Sequence, residues 1–268
     1  MRIAVVSDLH GNLAALQAVA EDLKHERVDL VVHGGDLVTT GPRPAEVLDR
    51  VRDLGWSGVV GNTDEMLWDA SARTEQERKA PRLAGWLRQL FETLAPWARE
   101  RLGQERIDWL RRLPREWRSA RLLVVHASPH DLWRAPLPDA SDTDLRSVFG
   151  GQGADLVVYG HIHRPYVRDL AGLRVANGGS VGLPYDGDWR ASYLLIEDGR
   201  AAVRRVAYDL QRELADIRSV GFPLGDWLAQ SQRQGRFAKP DPKPDPKPDP
   251  KPDPKPDPKP DPKPDPQA

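Results

Sequence analysis

The 268-residue chain has no cysteine, which excludes disulfides and thiolate metal ligands. No stretch approaches the roughly eighteen apolar residues of a membrane-spanning helix. The short run Ile3–Val6 leads straight into Asp8 and does not read as a signal peptide. A cytoplasmic location without membrane attachment is therefore expected. A formal net charge of −1 gives no overall pull toward nucleic acid or an anionic membrane. Lysine is scarce: before residue 239 only Lys24 and Lys79 occur, against thirty arginines in the chain. Base composition of the coding DNA accounts for that asymmetry better than an arginine-specific function.

From Lys239 to Pro266 the sequence repeats Lys-Pro-Asp-Pro seven times, and Gln267 and Ala268 follow. Every second residue is proline, so backbone donors are halved, φ is fixed, and residues before proline are pushed to extended conformations. With no other apolar side chain, the segment cannot bury enough surface to offset its ordering entropy. Residues 239–268 are thus expected to form a disordered, polyproline-like tail. Residues 1–238 remain as one domain, long enough for one substantial core.

What is present is a recurrence. Five short apolar runs each stop at a metal-ligand residue: Ile3–Val6 at Asp8 and His10, Leu30–Val32 at Asp36, Val59–Val60 at Asn62, Leu122–Val125 at His126, and Leu156–Val158 at His161 and His163. Buried strands of α/β sheets read as continuous Val/Ile/Leu runs, and ligands bind just beyond their carboxyl ends. Seven ligand-type side chains would then converge on one rim. A single His or Asp after a strand is usually structural, but five strand ends finishing this way by chance is improbable. The set mixes oxygen and imidazole donors, which suits Mn, Ni, Fe, Co or Zn better than Cu(I) or calcium.

The opening reads as strand, loop and helix, with Asn12 capping a helix to about Lys24. A second unit runs from Leu30–His33 through Gly34-Gly35-Asp36 to a helix after Pro44, and Trp56–Val60 makes a third strand. Residues from about 65 to 117 carry Trp and Leu at three- and four-residue spacing, punctuated by Pro81, Pro96 and Pro114, and read as a helical insertion. Asp142 is expected to cap a later helix. The last third alternates strands and short turns, with Glu197-Asp198-Gly199-Arg200 as a hairpin signal. Helices are expected near 210–219 and 224–234. The fold class is α+β, with two mixed sheets packed face to face, helices outside and the insertion on one side.

Asp8-Leu9-His10, Gly35-Asp36, Gly61-Asn62-Thr63-Asp64, His126 and Gly160-His161-Ile162-His163 resemble, in order and spacing, the five blocks of calcineurin-like metallophosphoesterases. The resemblance covers about residues 1–208 and is nearest to the bacterial phosphodiesterase branch. It implies an αββα sandwich and hydrolysis of a phosphodiester by a metal-bound hydroxide. It further implies that Asp8, His10 and His163 hold one divalent metal, that Asn62, His126 and His161 hold a second, and that Asp36 bridges them. Asn62 and His126 would also stand among the catalytic residues. Manganese is the expected ion, with Ni, Fe, Co or Zn as substitutes. Two departures stand out. Asn177-Gly178-Gly179-Ser180 has glycine where the branch has proline. Thr63 occupies the place where much of the family has a histidine thought to protonate the leaving group, so the catalytic role at position 63 is in question.

Arg164, directly after the histidine pair, is a candidate for a phosphate oxygen. His25, His33 and His130 are read as structural. The arginines between residues 99 and 118 alternate with Glu100, Glu105, Asp108 and Glu116 and read as a solvated helical face, so nucleic acid is the less favoured partner. A small phosphodiester or nucleotide is the expected substrate. A phosphomonoesterase, a nuclease, or a non-catalytic scaffold on the same fold are the alternatives, and the oligomeric state is not legible.

Overall fold

A computed structural model describes residues 1–239. The expected proline-rich tail lies, after Lys239, outside the described residues. The first sheet is built from β1 (Arg2–Val6), β2 (Leu30–His33), β3 (Ser57–Gly58), β9 (Ala191–Glu197) and β10 (Arg200–Val206) in the order β10-β9-β1-β2-β3. The second contains β4 (Glu116–Ser119), β5 (Leu122–Val125), β6 (Leu156–Tyr159), β7 (Tyr166–Leu170) and β8 (Leu173–Asn177) in the order β4-β5-β6-β8-β7. Both sheets are mixed. β1, β2 and β3 run parallel, as do β5, β6 and β8, and antiparallel strands form every edge but that of β3.

Alternation along the strands explains why they read as continuous apolar runs. Ile3 and Val5 of β1 face the other sheet and cluster with its Val124, Val158 and Ala176. Ala4 and Val6 point the opposite way, into the helices that cover the first sheet, which include α1 (Leu13–His25) and α2 (Pro44–Asp53). Each Val, Leu or Ile buried in this way stabilises the fold by roughly 1.5–3 kcal/mol. The second sheet is covered by α7 (Asp142–Phe149), through Leu145 and Phe149. Asn12 caps α1 as its sequence suggests, accepting from the Ala15 N–H at 2.9 Å. At α7 the cap is Ser141, whose Oγ accepts from Asp144 N at 3.1 Å; Asp142 falls one place inside the helix.

Between the sheets in sequence lies a helical stretch. It comprises α3 (Asn62–Glu65), α4 (Ala72–Lys79), α5 (Ala84–Arg88), a π-helical turn at Gln89–Leu94, and α6 (Ala95–Arg111). The helical reading to residue 117 overshoots: Gly103 already leaves helical geometry at φ 69°, and Glu116–Ser119 is strand β4, paired antiparallel with β5. Alternating exposed and half-buried residues in β4 were hidden by the preceding helical periodicity. β3 is shorter than the run Trp56–Val60, because only Ser57 and Gly58 pair with β2. The hairpin at 197–200 forms, with positive φ at Asp198 and Gly199. Two further helices, α8 (Leu210–Ser219) and α9 (Gly225–Gln234), pack behind the first sheet. No helix among the described residues is long and apolar enough to cross a membrane.

The registers place the site. Val6 pairs with His33 and Val125 pairs with Tyr159, so neighbouring parallel strands end level and their following loops leave the same edge of the sandwich.

Candidate metal centre

Each of the seven ligand-type residues lies one to four positions beyond a strand or apolar run, and the loops fold back onto one another. Asp8 N donates to Gly35 O, His10 N to Asp36 O, and Gly160 N to His126 O, all between 2.8 and 3.0 Å. Glycine is required where these loops touch. A Cβ on Gly61 would collide with the Asp36 carboxylate and backbone, and one on Gly35, where φ is +88°, would strike Gly61.

Five of the seven carry backbone strain. Among the described residues nine non-glycine positions have positive φ, and Asp8, His10, Asp36, His161 and His163 are five of those nine. The left-handed region costs roughly 1–2 kcal/mol per L-residue. Such a concentration marks a place where side-chain direction is set at the expense of local comfort.

Two clusters result, sharing Asp36 between them. In the first, Nε2 of His10 and Nε2 of His163 lie 3.1 Å apart, and Asp8 Oδ1 is 3.3 Å from His163 Nε2 and 3.9 Å from His10 Nε2. In the second, Asn62 Oδ1 is 2.8 Å from His126 Nε2 and 2.9 Å from His161 Nδ1. The two carboxylate oxygens of Asp36 divide between them: Oδ2 is 3.8 Å from His10 Nε2 and Oδ1 is 3.5 Å from His126 Nε2. Asp8, His10 and His163 are close enough to hold one ion together, and so are Asp8, Asp36 and His126.

Hydrogen bonding on the far side of the rings fixes their tautomers. The Nδ1–H groups of His10, His126 and His163 point at the carbonyls of Thr39, Gly34 and Leu183, at 2.7, 2.8 and 2.5 Å. A ring that keeps its proton on Nδ1 in this way turns Nε2 inward, free to act as a metal ligand. Burial drives His10 and His161 down to about 3, so they stay neutral. His126 Nε2 faces the Asn62 carbonyl oxygen at 2.8 Å, and His10 Nε2 faces His163 Nε2 at 3.1 Å. A pit of converging lone pairs and carboxylates is a donor set for cations, and these residues fit a pair of divalent ions.

The carboxylates agree. Asp36 is pushed up to about 7 by burial, with the Asp8 charge beside it. Asp64 is likewise pushed up to about 7 by burial and by Asp36. At Asp8 burial also acts upward, but the adjacent His163 and its neighbours outweigh it and hold the group below its ordinary value. Three buried carboxyls this close cannot all ionise without positive charge among them.

Other residues hold the ligand loops in place, a role that the sequence did not assign to them. Asp64 Oδ1 accepts from Leu37 N at 3.0 Å and its Oδ2 from Gly61 N at 3.1 Å, tying the Asp36 and Asn62 turns together. The Asn177-Gly178-Gly179-Ser180 segment braces two ligand loops: Asn177 Nδ2 donates to Gly160 O at 2.7 Å and Ser180 Oγ donates to Asp8 O at 2.6 Å. Tyr185 stacks on His163 with ring centroids 4.4 Å apart.

A cavity of about 540 Å³ opens over the cluster, lined by His10, Asp36, Asn62, Thr63, His161 and His163. Thr63 is buried and its Oγ1 has no hydrogen-bond partner. Arg164 is exposed and does not line this cavity, whereas Arg134 and Lys79 do. His25 and His130 are exposed and lie outside it; His33 is fully buried, and burial lowers it to about 4.

Residues 1–198 match the model of the calcineurin-like phosphoesterase superfamily domain. The chain belongs to that superfamily. This phosphoesterase is 29% identical to a metallophosphoesterase from Sphaerobacter thermophilus, whose structure superposes with a TM-score of 0.71 over 88% of this chain and 100% of that one. It is 28% identical over 257 residues to an uncharacterized protein of Methanocaldococcus jannaschii, covering 87% of this chain and 98% of the relative. It is also 24% identical to the phosphodiesterase YfcE of Escherichia coli K12, over 81% of this chain and 97% of that one. The two mixed sheets flanked by helices are the fold of the Sphaerobacter thermophilus metallophosphoesterase. A hydrolase of phosphoric esters, dependent on divalent metal, follows from membership of the family.

Proposed function

We propose that this phosphoesterase is a dinuclear enzyme that hydrolyses small phosphodiesters. The observation that carries the reading is the division of the Asp36 carboxylate, one oxygen toward His10 and the other toward His126. A bridging carboxylate of this kind suits two cations about 3.5–4 Å apart. Asp8, His10 and His163 would hold the first ion, Asn62, His126 and His161 the second. Manganese is the favoured ion, on the mixed oxygen and imidazole donors.

Two such ions would supply Lewis-acid charge to the phosphoryl oxygens and an activated nucleophile. The chain supplies the rest. Carbonyls behind the rings hold His10, His126 and His163 in the tautomer that presents Nε2 inward. Asn62 lines the cavity beside Thr63, where the scissile phosphate would sit, and His126 stands behind Asn62 with Nε2 2.8 Å from its Oδ1. The Arg134 guanidinium, at the cavity wall, is placed to meet an outer phosphate oxygen; it replaces Arg164 in that part. A diester is preferred to a monoester on the likeness, at 24% identity, to YfcE, which is named a phosphodiesterase.

The test is metal analysis of the purified protein together with hydrolysis of bis(4-nitrophenyl) phosphate and 4-nitrophenyl phosphate, before and after chelation. About two equivalents of metal, and diester turnover that is lost on chelation and restored by Mn, are expected. Full diester hydrolysis after thorough chelation would refute the dinuclear mechanism. Faster turnover of the monoester would refute the diester preference.

A further inference from the structure

The cavity over the metal cluster has a second half that hydrolysis alone does not require. Among the described residues the exposed large hydrophobic side chains are Met1, Leu83, Leu137, Val167 and Phe237, and three of these five line this one cavity. Leu83 is 52% exposed, Leu137 50% and Phe237 40%. They arrive from three separate stretches of chain: the turn before α5, the loop after β5, and the segment after α9. Scattered apolar residues on a surface mean little, but convergence on the mouth of a polar site marks a binding surface.

The wall is continuous with the site. Tyr185 lies flat on His163, Phe237 meets Tyr185 edge-on at 5.6 Å and 89°, and Trp86 meets Phe237 edge-on at 5.2 Å and 83°. Phe237 is held there by its own strand of chain. Trp227 Nε1 donates to Ala238 O at 2.7 Å, Ala238 N donates to Ser231 Oγ at 3.1 Å, and Gly187 N donates to Gly235 O at 2.8 Å. Trp133, also in the lining, keeps a buried indole N–H without a partner.

Resting on the phosphodiesterase reading, we infer that Leu83, Leu137 and Phe237 form a specificity rim that binds a flat aromatic ester group of the substrate, beside the phosphate held at the metal cluster. Edge-on aromatic walls leave slots that fit a ring better than a flexible chain, which would lose rotamer freedom on entering. A small polar ester group would leave this apolar mouth wet.

The experiment is calorimetric titration of the full-length, metal-loaded protein with diphenyl phosphate and dibutyl phosphate, and the same titrations with Phe237→Ser and with Leu83→Ser/Leu137→Ser at equal metal content. The wild type should bind diphenyl phosphate about tenfold or more tighter than dibutyl phosphate, the scale at which an apolar pocket discriminates. Both variants should bring that ratio close to one. Because the double variant alters only half-exposed side chains, it keeps the test open if Phe237→Ser unfolds. Equal or tighter binding of dibutyl phosphate would overturn the ring assignment, and an unchanged ratio in both variants would overturn the rim. If deletion of residues 240–268 raises diphenyl phosphate affinity severalfold, the rim serves the chain's own tail and the assignment to substrate fails. Rim-dependent binding of diphenyl phosphate without any diester hydrolysis would uphold the rim and remove the phosphodiesterase reading instead.

Discussion

Replacing Thr63 with histidine should change which esters the enzyme can cleave more than how stable it is. The backbone at this position is fixed by neighbours: its N–H donates to Asp36 Oδ1 at 2.9 Å and its carbonyl accepts from Thr39 Oγ1 at 2.9 Å. The hydroxyl Oγ1 has no partner, so its removal costs no hydrogen bond, and the side chain faces a cavity of about 540 Å³ into which a ring can extend. A positioned general acid contributes about 10²–10⁴-fold when the leaving group must be protonated. A threonine hydroxyl is far too weak an acid to supply that. His130, the other histidine near the motifs, is exposed and outside the cavity.

The wild type should therefore hydrolyse diesters with low-pKa leaving groups well and fall off steeply toward alkyl leaving groups. Thr63→His should recover about 10²-fold or more on the alkyl esters while changing the 4-nitrophenyl ester little. The assay is kcat/KM across a series of aryl and alkyl diesters sharing one non-leaving group, for both proteins at equal metal content. A flat leaving-group dependence in the wild type would refute the reasoning, because it would mean that another donor already fills the role.

Chelation should lower the melting temperature as well as abolish turnover, because the strained, lone-pair-rich pit is stabilised by the ions that bind only the folded state; an unchanged melting curve after complete metal loss would contradict this. Asp36→Ala should lose metal occupancy more completely than Asn62→Ala, since a bridging ligand serves both ions, and metal analysis with rate measurement reads the difference. Glu213 is fully buried with both carboxylate oxygens unpaired, and burial, aided by Asp216, raises it from 4.5 to about 8. The folded state then binds the proton more tightly than the unfolded state. Stability from this group is full below about pH 4.5 and is lost as pH rises to about 8, on the order of a few kcal/mol. Glu213→Gln should flatten the melting temperature across that window, and a parallel curve would dismiss the assignment. Deleting residues 240–268 should leave the melting temperature within error, whereas deleting from residue 236 removes the Ala238–Trp227 hydrogen bond and the Phe237 contacts. The longer deletion should cost about 2 kcal/mol, a fall of about 4–8 °C; equal curves would move the domain boundary upstream of 236.

The convergence of the candidate metal ligands was legible because it depends on short-range features repeated five times. A buried parallel strand needs apolar residues on both faces, so it leaves an uninterrupted run, and the residue after the run is pinned at the sheet edge. His126 after Val125 and Asp36 after His33 follow from that alone. The limits of the reading have the same origin. β4 alternates exposed and half-buried residues at the end of a Trp- and Leu-rich helical stretch, and its pairing with β5 is the only thing that makes it a strand. Ser141 and Asp142 are both good caps, and the choice between them depends on a single hydrogen bond.

Supporting residues were hidden because their roles depend on distant chain. Asp64 looks like a motif acid, yet its two oxygens bind the backbones of Leu37 and Gly61 and its work is to hold two turns together. Arg164 adjoins the histidine pair in sequence but points to solvent outside the cavity, whereas Arg134 reaches the cavity from a loop with no motif of its own. Leu83, Leu137 and Phe237 are separated by up to 154 positions, and nothing local marks them as neighbours. The candidate metal ligands follow strand ends, where sequence reports them. The proposed rim is assembled from loops that meet only in the folded chain. The same sandwich can thus keep its phosphate chemistry while the rim is rewritten, which is why the reaction class could be read from the motifs and the ester group could not.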